Sequence, residues 1–363
     1  MRISLYIFNP YPAVGGADST ILKFINSLDL RKYDLTYFSL RPVKHVNKKI
    51  KYIVLKSNSV FFSFFKIKKI ILKNNLCQKK IFFSMQYFVN VFTLFFLSKI
   101  ENLKIFIYEI NHTTELDFSK NIIEFIKKRI IKFLVKNLYN KADIVAANSK
   151  ELGKDLSSLI KKKVEIIFNP CFTKVTLPKK KIFSKKIRIL NIARFEYQKD
   201  HLTLLKGISG SKVKDSIELN LVGYGSKKSE ILDYIVKNNI NCKIYVKNNN
   251  LRYFYSSNDV FVYSSIYEGL PTVMVEAASH CMPIISSKFK SGSKEILGNG
   301  QFGYLFKVGD HKRLSQLLNN FAKNPKSFYL KEKKCRKNLK KFLVSLNVKK
   351  FNSLLDSLFN KTN

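Results

Sequence analysis

Tryptophan is absent from the 363 residues, cysteine occurs five times, and acids number 25 against 66 lysines and arginines. Each shortage excludes something. Cys77, Cys171, Cys242, Cys281 and Cys335 lie far apart with no C-x-x-C pair, which argues against zinc and against a disulfide framework and fits a reducing compartment. His45, His201, His280 and His311 have no metal-ligand spacing either. The opening MRISLYIFNPYP holds too short an apolar run for a signal peptide. The one long uncharged stretch, residues 81–98 between Lys80 and Lys99, is diluted by Ser84, Gln86, Asn90 and Thr93. It reads as a buried strand and helix rather than a membrane span. Apolar residues at 46% still suffice for two cores in a chain of this length.

The resulting charge, +41, is unevenly spread: residues 1–100 carry 17 basic and 3 acidic side chains, residues 201–300 only 12 and 8. Such a field draws polyanions. A nucleic-acid binder would carry an aromatic RNP-like or helix-turn-helix pattern, and neither is present, so nucleic acid is not an expected partner. The segments FFKIKKIILKNN and IIEFIKKRIIKFLVKN alternate apolar and cationic residues at helical spacing, as helices lying on an anionic membrane surface do. The plainer reading packs their apolar sides on a sheet and leaves the lysines in water.

Apolar runs alternate with helical periodicity along the chain, the signature of β-α-β units and parallel sheets. RISLYIF, DLTYFSL, KKIFFSM, KIFIYEI and DIVAANS are the strands of a first domain over residues 1–168. Residues 169–186, with two prolines and a lysine cluster, have no clear period and read as a linker. IRILNIA, IELNLVGYG, NCKIYV, DVFVYSS and PIISS belong to a second domain over 187–330, and helices over 331–363 close the chain.

The least lysine-rich stretch, YSSIYEGLPTVMVEAASHCMPIISS, sets Glu268 and Glu276 eight positions apart. Gly269 and Pro271 place the first in a loop and start a helix near Thr272 that holds the second. A helix N-terminus attracts phosphate, whereas carboxylates suit sugar hydroxyls, so the expected ligand carries both. The spacing alone is weak, since Glu101 and Glu109 repeat it.

Its surroundings are specific. The order strand, E-G-hydrophobic-P…E-A, then a P-I-I strand resembles the retaining glycosyltransferases of the GT-B fold. LNIARFEYQKD, LNLVGYGSKKSEI, SGSKEILGNGQFGYLFKVGD, NPYPAVGGAD, YEINHTTE and ADIVAANS resemble further family segments in the expected order. The resemblance implies two Rossmann-like domains facing across a cleft, with the C-terminal helix crossing back to the first. It also implies a nucleotide-sugar donor, here UDP, and a lipid-linked or oligosaccharide acceptor in surface polysaccharide synthesis. Arg194 and Lys199 would clamp the diphosphate, and Glu276 would take the ribose. Glu268 would meet sugar hydroxyls, with Gly269 and Leu270 offering amides. Gly15, Gly16 and Gly223 would let backbone approach the donor, and His112 would stand near the reacting sugar. No D-x-D occurs, so the two cations, with no metal and no cofactor, would carry the leaving charge. The alternatives are a nucleotide-sugar epimerase of the same fold and, less in keeping with the motifs, a basic nucleic-acid binder. The implied place is cytoplasmic, peripheral on the inner face of the plasma membrane.

Three departures stand out. Cys281 occupies a position where the family usually ends the helix with glycine, Asp18 replaces a glutamate, and VKNNNLRYF lacks the glycine common in the base-binding turn.

Overall fold

Segments such as KIFFSM are apolar at almost every position because both of their faces are covered, the condition of a parallel sheet between helical layers. The computed structural model describes residues 2–12, 16–42, 49–74, 79–119, 121–174, 186–246 and 250–360. The chain forms two units, Met1–Pro170 with Val344–Asn363, and Cys171–Leu343.

The first unit holds strands β1 (Ile3–Phe8), β2 (Tyr33–Ser39), β3 (Lys51–Val54), β4 (Lys80–Met85), β5 (Leu103–Glu109), β6 (Ile144–Ala147) and β7 (Glu165–Ile166). They pair in parallel in the order β3-β2-β1-β4-β5-β6-β7. Helices α2 (Val60–Lys73), α3 (Tyr87–Leu97), α4 (Ile122–Leu138) and α5 (Lys150–Ile160) cover one face, their inward residues sharing a core with Tyr6, Phe82 and Ile105. On the other face α1 (Gly16–Asn26) and α13 (Val344–Asn360) pack over Leu5, Ile81 and Phe106. The chain's last helix thus completes the first unit's core. Residues 81–98, the doubtful membrane stretch, are β4 and the eleven-residue α3. Among the described residues no helix is long and apolar enough to cross a membrane.

The second unit holds β8 (Ile187–Ile192), β9 (Ile217–Val222), β10 (Cys242–Tyr245), β11 (Val260–Tyr263), β12 (Ile284–Ser287) and β13 (Tyr304–Phe306), all parallel, in the order β10-β9-β8-β11-β12-β13. Between and after them run α6 (His201–Ser209), α7 (Lys228–Lys237), α8 (Leu251–Ser257), α9 (Thr272–Ser279), α10 (Ser293–Leu297), α11 (His311–Lys323) and α12 (Pro325–Leu339). In both sheets the chain first builds outward from the opening strand and then returns to its other side. This leaves a topological switch point beside β1 in one unit and between β8 and β11 in the other. Ligands of doubly wound sheets settle outside the strand carboxyl ends at such a point.

Phe351 anchors α13. Its ring is fully buried, stacks on Phe24 at 4.3 Å and meets Phe83 edge-on at 5.1 Å. Phe351→Ala should destabilise the first unit by about 3–5 kcal/mol. Hydrogen exchange should then lose protection across β1, β4 and β5 while β8–β13 keep theirs; unchanged exchange in β4 would show that α13 is dispensable.

Candidate functional site

The switch point of the second unit is framed by two loops. After β8 the chain passes Ala193, Arg194 and Phe195 into a single 3-10 turn, Tyr197–Lys199, before α6 starts at His201. After β11 it passes Ser264–Pro271 before α9. Hydrogen bonds sew the loops together: Ile266 N to Gln198 O at 2.8 Å, Gln198 Nε2 to Tyr267 O at 2.7 Å, and Ser264 Oγ to Asp200 O at 2.8 Å.

At this seam lies an ion pair between Lys199 Nζ and Glu268 Oε1, with side chains only 12% and 10% exposed. Tyr263, the last residue of β11, donates its hydroxyl to the same carboxylate oxygen at 2.9 Å, and Ser265 Oγ donates at 2.8 Å. Lys199 Nζ also reaches Tyr263 Oη at 3.2 Å. Burial works against the ammonium, but Glu268 and Tyr263 outweigh it and raise its pKa above that of a free lysine. Burial pushes the Tyr263 phenol up to about 12, so it stays protonated as a donor. Oε2 of Glu268 has no hydrogen-bond partner among the described residues. One oxygen is anchored by three groups, and the other is not engaged by any described residue.

The loop after β9 closes on the same place. A Cβ on Gly223 would stand 1.9 Å from Ala193 O, and Gly225 (φ +156°) is pressed against Phe195. Ser226 Oγ donates to Glu196 Oε2 at 2.8 Å. Behind Leu270 the turn at Gly292 (φ +65°) leaves no room for a Cβ beside Gly269 O. Arg194 is exposed, and its guanidinium has no partner among the described residues. Gly269 and Leu270 are buried between Glu268 and α9. Glu276, on α9, accepts the Tyr255 hydroxyl at 2.9 Å.

The helix end that lacked its glycine is formed all the same. Cys281 takes φ +62°, Met282 N bonds Ala277 O at 3.1 Å and Cys281 N bonds Ala278 O at 3.0 Å, the two bonds of a Schellman motif. The buried thiol occupies a left-handed position that glycine would hold without strain.

In the first unit His112 is fully buried at the start of the 3-10 turn Thr113–Leu116. Its Nδ1 accepts from Thr114 N at 3.2 Å, which puts the proton on Nε2, 3.0 Å from Asp155 Oδ2. Gly16 opens α1, where Asn9 Nδ2 donates to Asp18 Oδ1 at 2.7 Å, so the aspartate is held as part of the loop. Gly15 lies outside the described residues.

Three participants carried no signal in the sequence reading: Tyr263, Ser265 and His201. His201 is buried against Phe195, ring centroids 5.0 Å apart, and its Nε2 has no hydrogen-bond partner among the described residues. Burial, reinforced by the Lys199 charge, lowers its pKa to about 3.

Against known proteins, the family model described as glycosyl transferases group 1 matches residues 173–342. An N-acetylgalactosaminyltransferase of Campylobacter jejuni, named for a diacetylbacillosaminyl-diphospho-undecaprenol substrate, is 29% identical over 202 residues, 54% of this chain and 55% of that protein. The chain thus spans about half the length of that relative. The amylovoran biosynthesis glycosyltransferase AmsD of Erwinia amylovora is 27% identical over 314 residues, 84% and 86% of the two chains. Among solved structures, Anabaena Alr3699/HepE in complex with UDP superposes with a TM-score of 0.74 at 14% identity over 98% of this chain and 100% of that one. That likeness establishes the GT-B fold.

Two tests follow from the pair and its neighbour. Glu268→Gln keeps the shape but leaves a nearly buried ammonium without its counter-charge, which should cost the second unit about 3–5 kcal/mol in urea unfolding. A loss below 1 kcal/mol would mean the pair is solvated in practice. For His201 the native pKa is depressed, so unfolded chains take up its proton below about 6.5 while the native state refuses it until about 3. Stability is therefore lost as pH falls through that window, by about 2 kcal/mol at pH 5. His201→Phe should remove that part of the fall in the second unit's urea midpoint between pH 7 and pH 5; an equal fall in both proteins would refute it.

Proposed function

We propose that this chain, whose residues 173–342 match the family model described as glycosyl transferases group 1, is a retaining glycosyltransferase of bacterial surface-polysaccharide synthesis. It moves a hexose or N-acetylhexosamine from a UDP-sugar to a lipid-linked or oligosaccharide acceptor. The HepE complex with UDP supports the donor, and the diphospho-undecaprenol name of the Campylobacter relative supports the acceptor.

The observation that carries the reading is the Lys199–Glu268 pair at the switch point. An ammonium has three N–H groups. Glu268 and Tyr263 engage two, leaving one for an oxygen of the departing diphosphate. Its raised pKa keeps it charged throughout the reaction, and it is already oriented, so no reorganisation is needed as charge develops. Arg194, exposed and without a partner among the described residues, supplies the second cation with a fork that suits phosphate oxygens. Glu268 is a poor base or nucleophile, because one oxygen is saturated by a cation and two hydroxyls. Its other oxygen suits sugar hydroxyls. Glu276 takes the ribose, and Gly223, Gly269 and Leu270 allow or provide backbone contact. In the first unit, His112 and the glycines at 15 and 16 are assigned to the donor by family resemblance.

Donor turnover should fall about 10²–10³-fold in Arg194→Ala and in Glu268→Ala. The folded wild type should gain melting temperature with UDP-sugars and less with GDP-sugars. Full turnover in either variant would remove the site assignment, and product formed without any acceptor would make the chain an epimerase.

A further inference from the structure

The first unit displays its apolar side chains in the wrong place for a soluble helix layer. On α4 the residues that face inward include Glu124 and Lys128, paired at 3.0 Å, and Lys132, held by Asp117 at 2.7 Å. The solvent side carries Ile122, Ile123, Ile126, Ile130 and Phe133, with Ile122 68% and Phe133 66% exposed. At 100° per residue these five span one stripe about 100° wide, flanked by Lys127 on one side and Arg129 and Lys136 on the other. On α2 Phe61, Phe62, Phe65 and Leu72 are exposed in the same way. Phe61 meets Phe92 and Phe96 of α3 at 5.5 and 5.1 Å, and Phe96 meets the exposed Phe95 at 5.1 Å. The helices α2, α3 and α4 lie side by side, so the rows belong to one surface. Together they hold nine lysines and arginines and one acid, the already paired Glu124.

We propose that this α2–α3–α4 face docks on an anionic lipid bilayer, its phenylalanine and isoleucine rows entering the headgroup–acyl boundary while the lysines meet lipid phosphates. Charge complementarity selects this occupant. A second copy would set nine cations against nine in a chain of net charge +41. Nucleic acid would satisfy the lysines and leave the apolar rows in water. Only an anionic membrane surface takes both. Phe65 and Leu72 share a shallow depression with Lys68, Lys69 and Lys73, so the apolar and cationic contacts are within one headgroup's reach. The inference stands on the first unit alone and does not require the donor reading.

The test is sedimentation of the full chain with vesicles of phosphatidylglycerol and phosphatidylcholine, and with phosphatidylcholine alone, over a salt series. Wild type should partition onto the anionic vesicles and much less onto the neutral ones. Phe62→Ser with Phe133→Ser should lower that partition about tenfold or more. Lys68→Ala, Lys69→Ala and Lys73→Ala together should lower it and flatten the salt dependence. All five positions are at least partly open to solvent, and an unchanged urea midpoint verifies the fold. Equal binding to neutral and anionic vesicles, undiminished binding by the phenylalanine pair, or loss of an oligomer instead of vesicle binding would overturn the proposal. Vesicle binding with no thermal response to UDP-sugars would uphold it and overturn the donor reading instead.

Discussion

One ammonium held against one carboxylate where two neighbouring strands end governs the second unit. Neither charge is stable there alone, since taking an ion out of water costs several kcal/mol. Burial disfavours the Lys199 ammonium and its partners Glu268 and Tyr263 more than offset it, while Glu268 is anchored by the same residues and Ser265. The pair therefore fixes the distance between the loops after β8 and β11, and the backbone bonds between Gln198 and residues 266–267 hold that distance. His201, next in line, has to remain neutral. The result is an oriented, compensated pair of charges with a neutral imidazole beside it.

The close approaches around the pair follow from it. If the loop after β8 is held by β11, the loop after β9 has to pass over Ala193 and Phe195, and only residues without a Cβ fit at 223 and 225. The turn at Gly292 meets Gly269 for the same reason from the other side. The glycines of the LVGYG and KSGS segments thus serve packing between loops in this structure. Their value for approach by a ligand is an additional use of the same bare backbone.

The alternation of short apolar runs with helical periods was legible because both sheets are buried on both faces, which forces continuous apolar strands. Two edge strands were not: β3 and β7 have four and two residues, are only partly buried, and carry no pattern that separates them from loop, whereas the equally short edge strand β10 was read from NCKIYV. The return of the chain's last helix came from family resemblance, since no local period reveals that Phe351 stacks on Phe24. At the site, Glu268 and Lys199 were each identified by motif and given separate ligands. Their contact joins residues 69 positions apart in sequence and depends on strand order, which no spacing encodes. Tyr263 read as an ordinary strand residue because tyrosine is at home there. Cys281 marks the reverse case. The family's usual glycine is missing there, yet the backbone bonds of the helix end form without it, with Cys281 held at φ +62°.

Lysine is put to two physically opposite uses in this chain, which is why the total of +41 was uninformative by itself. Lys199 is withdrawn from water, tied to an acid and fixed in direction. The lysines of α2 lie towards solvent beside exposed phenylalanines, on a helix with no acid to pair them. A buried, compensated cation is indifferent to salt and selects one geometry, whereas solvated cations act at a distance and weaken with salt. Residues 201–300 carry only four more basic than acidic side chains, yet the buried, paired lysine stands just before them at 199. Composition records the number of charges and not which of them are withdrawn from water.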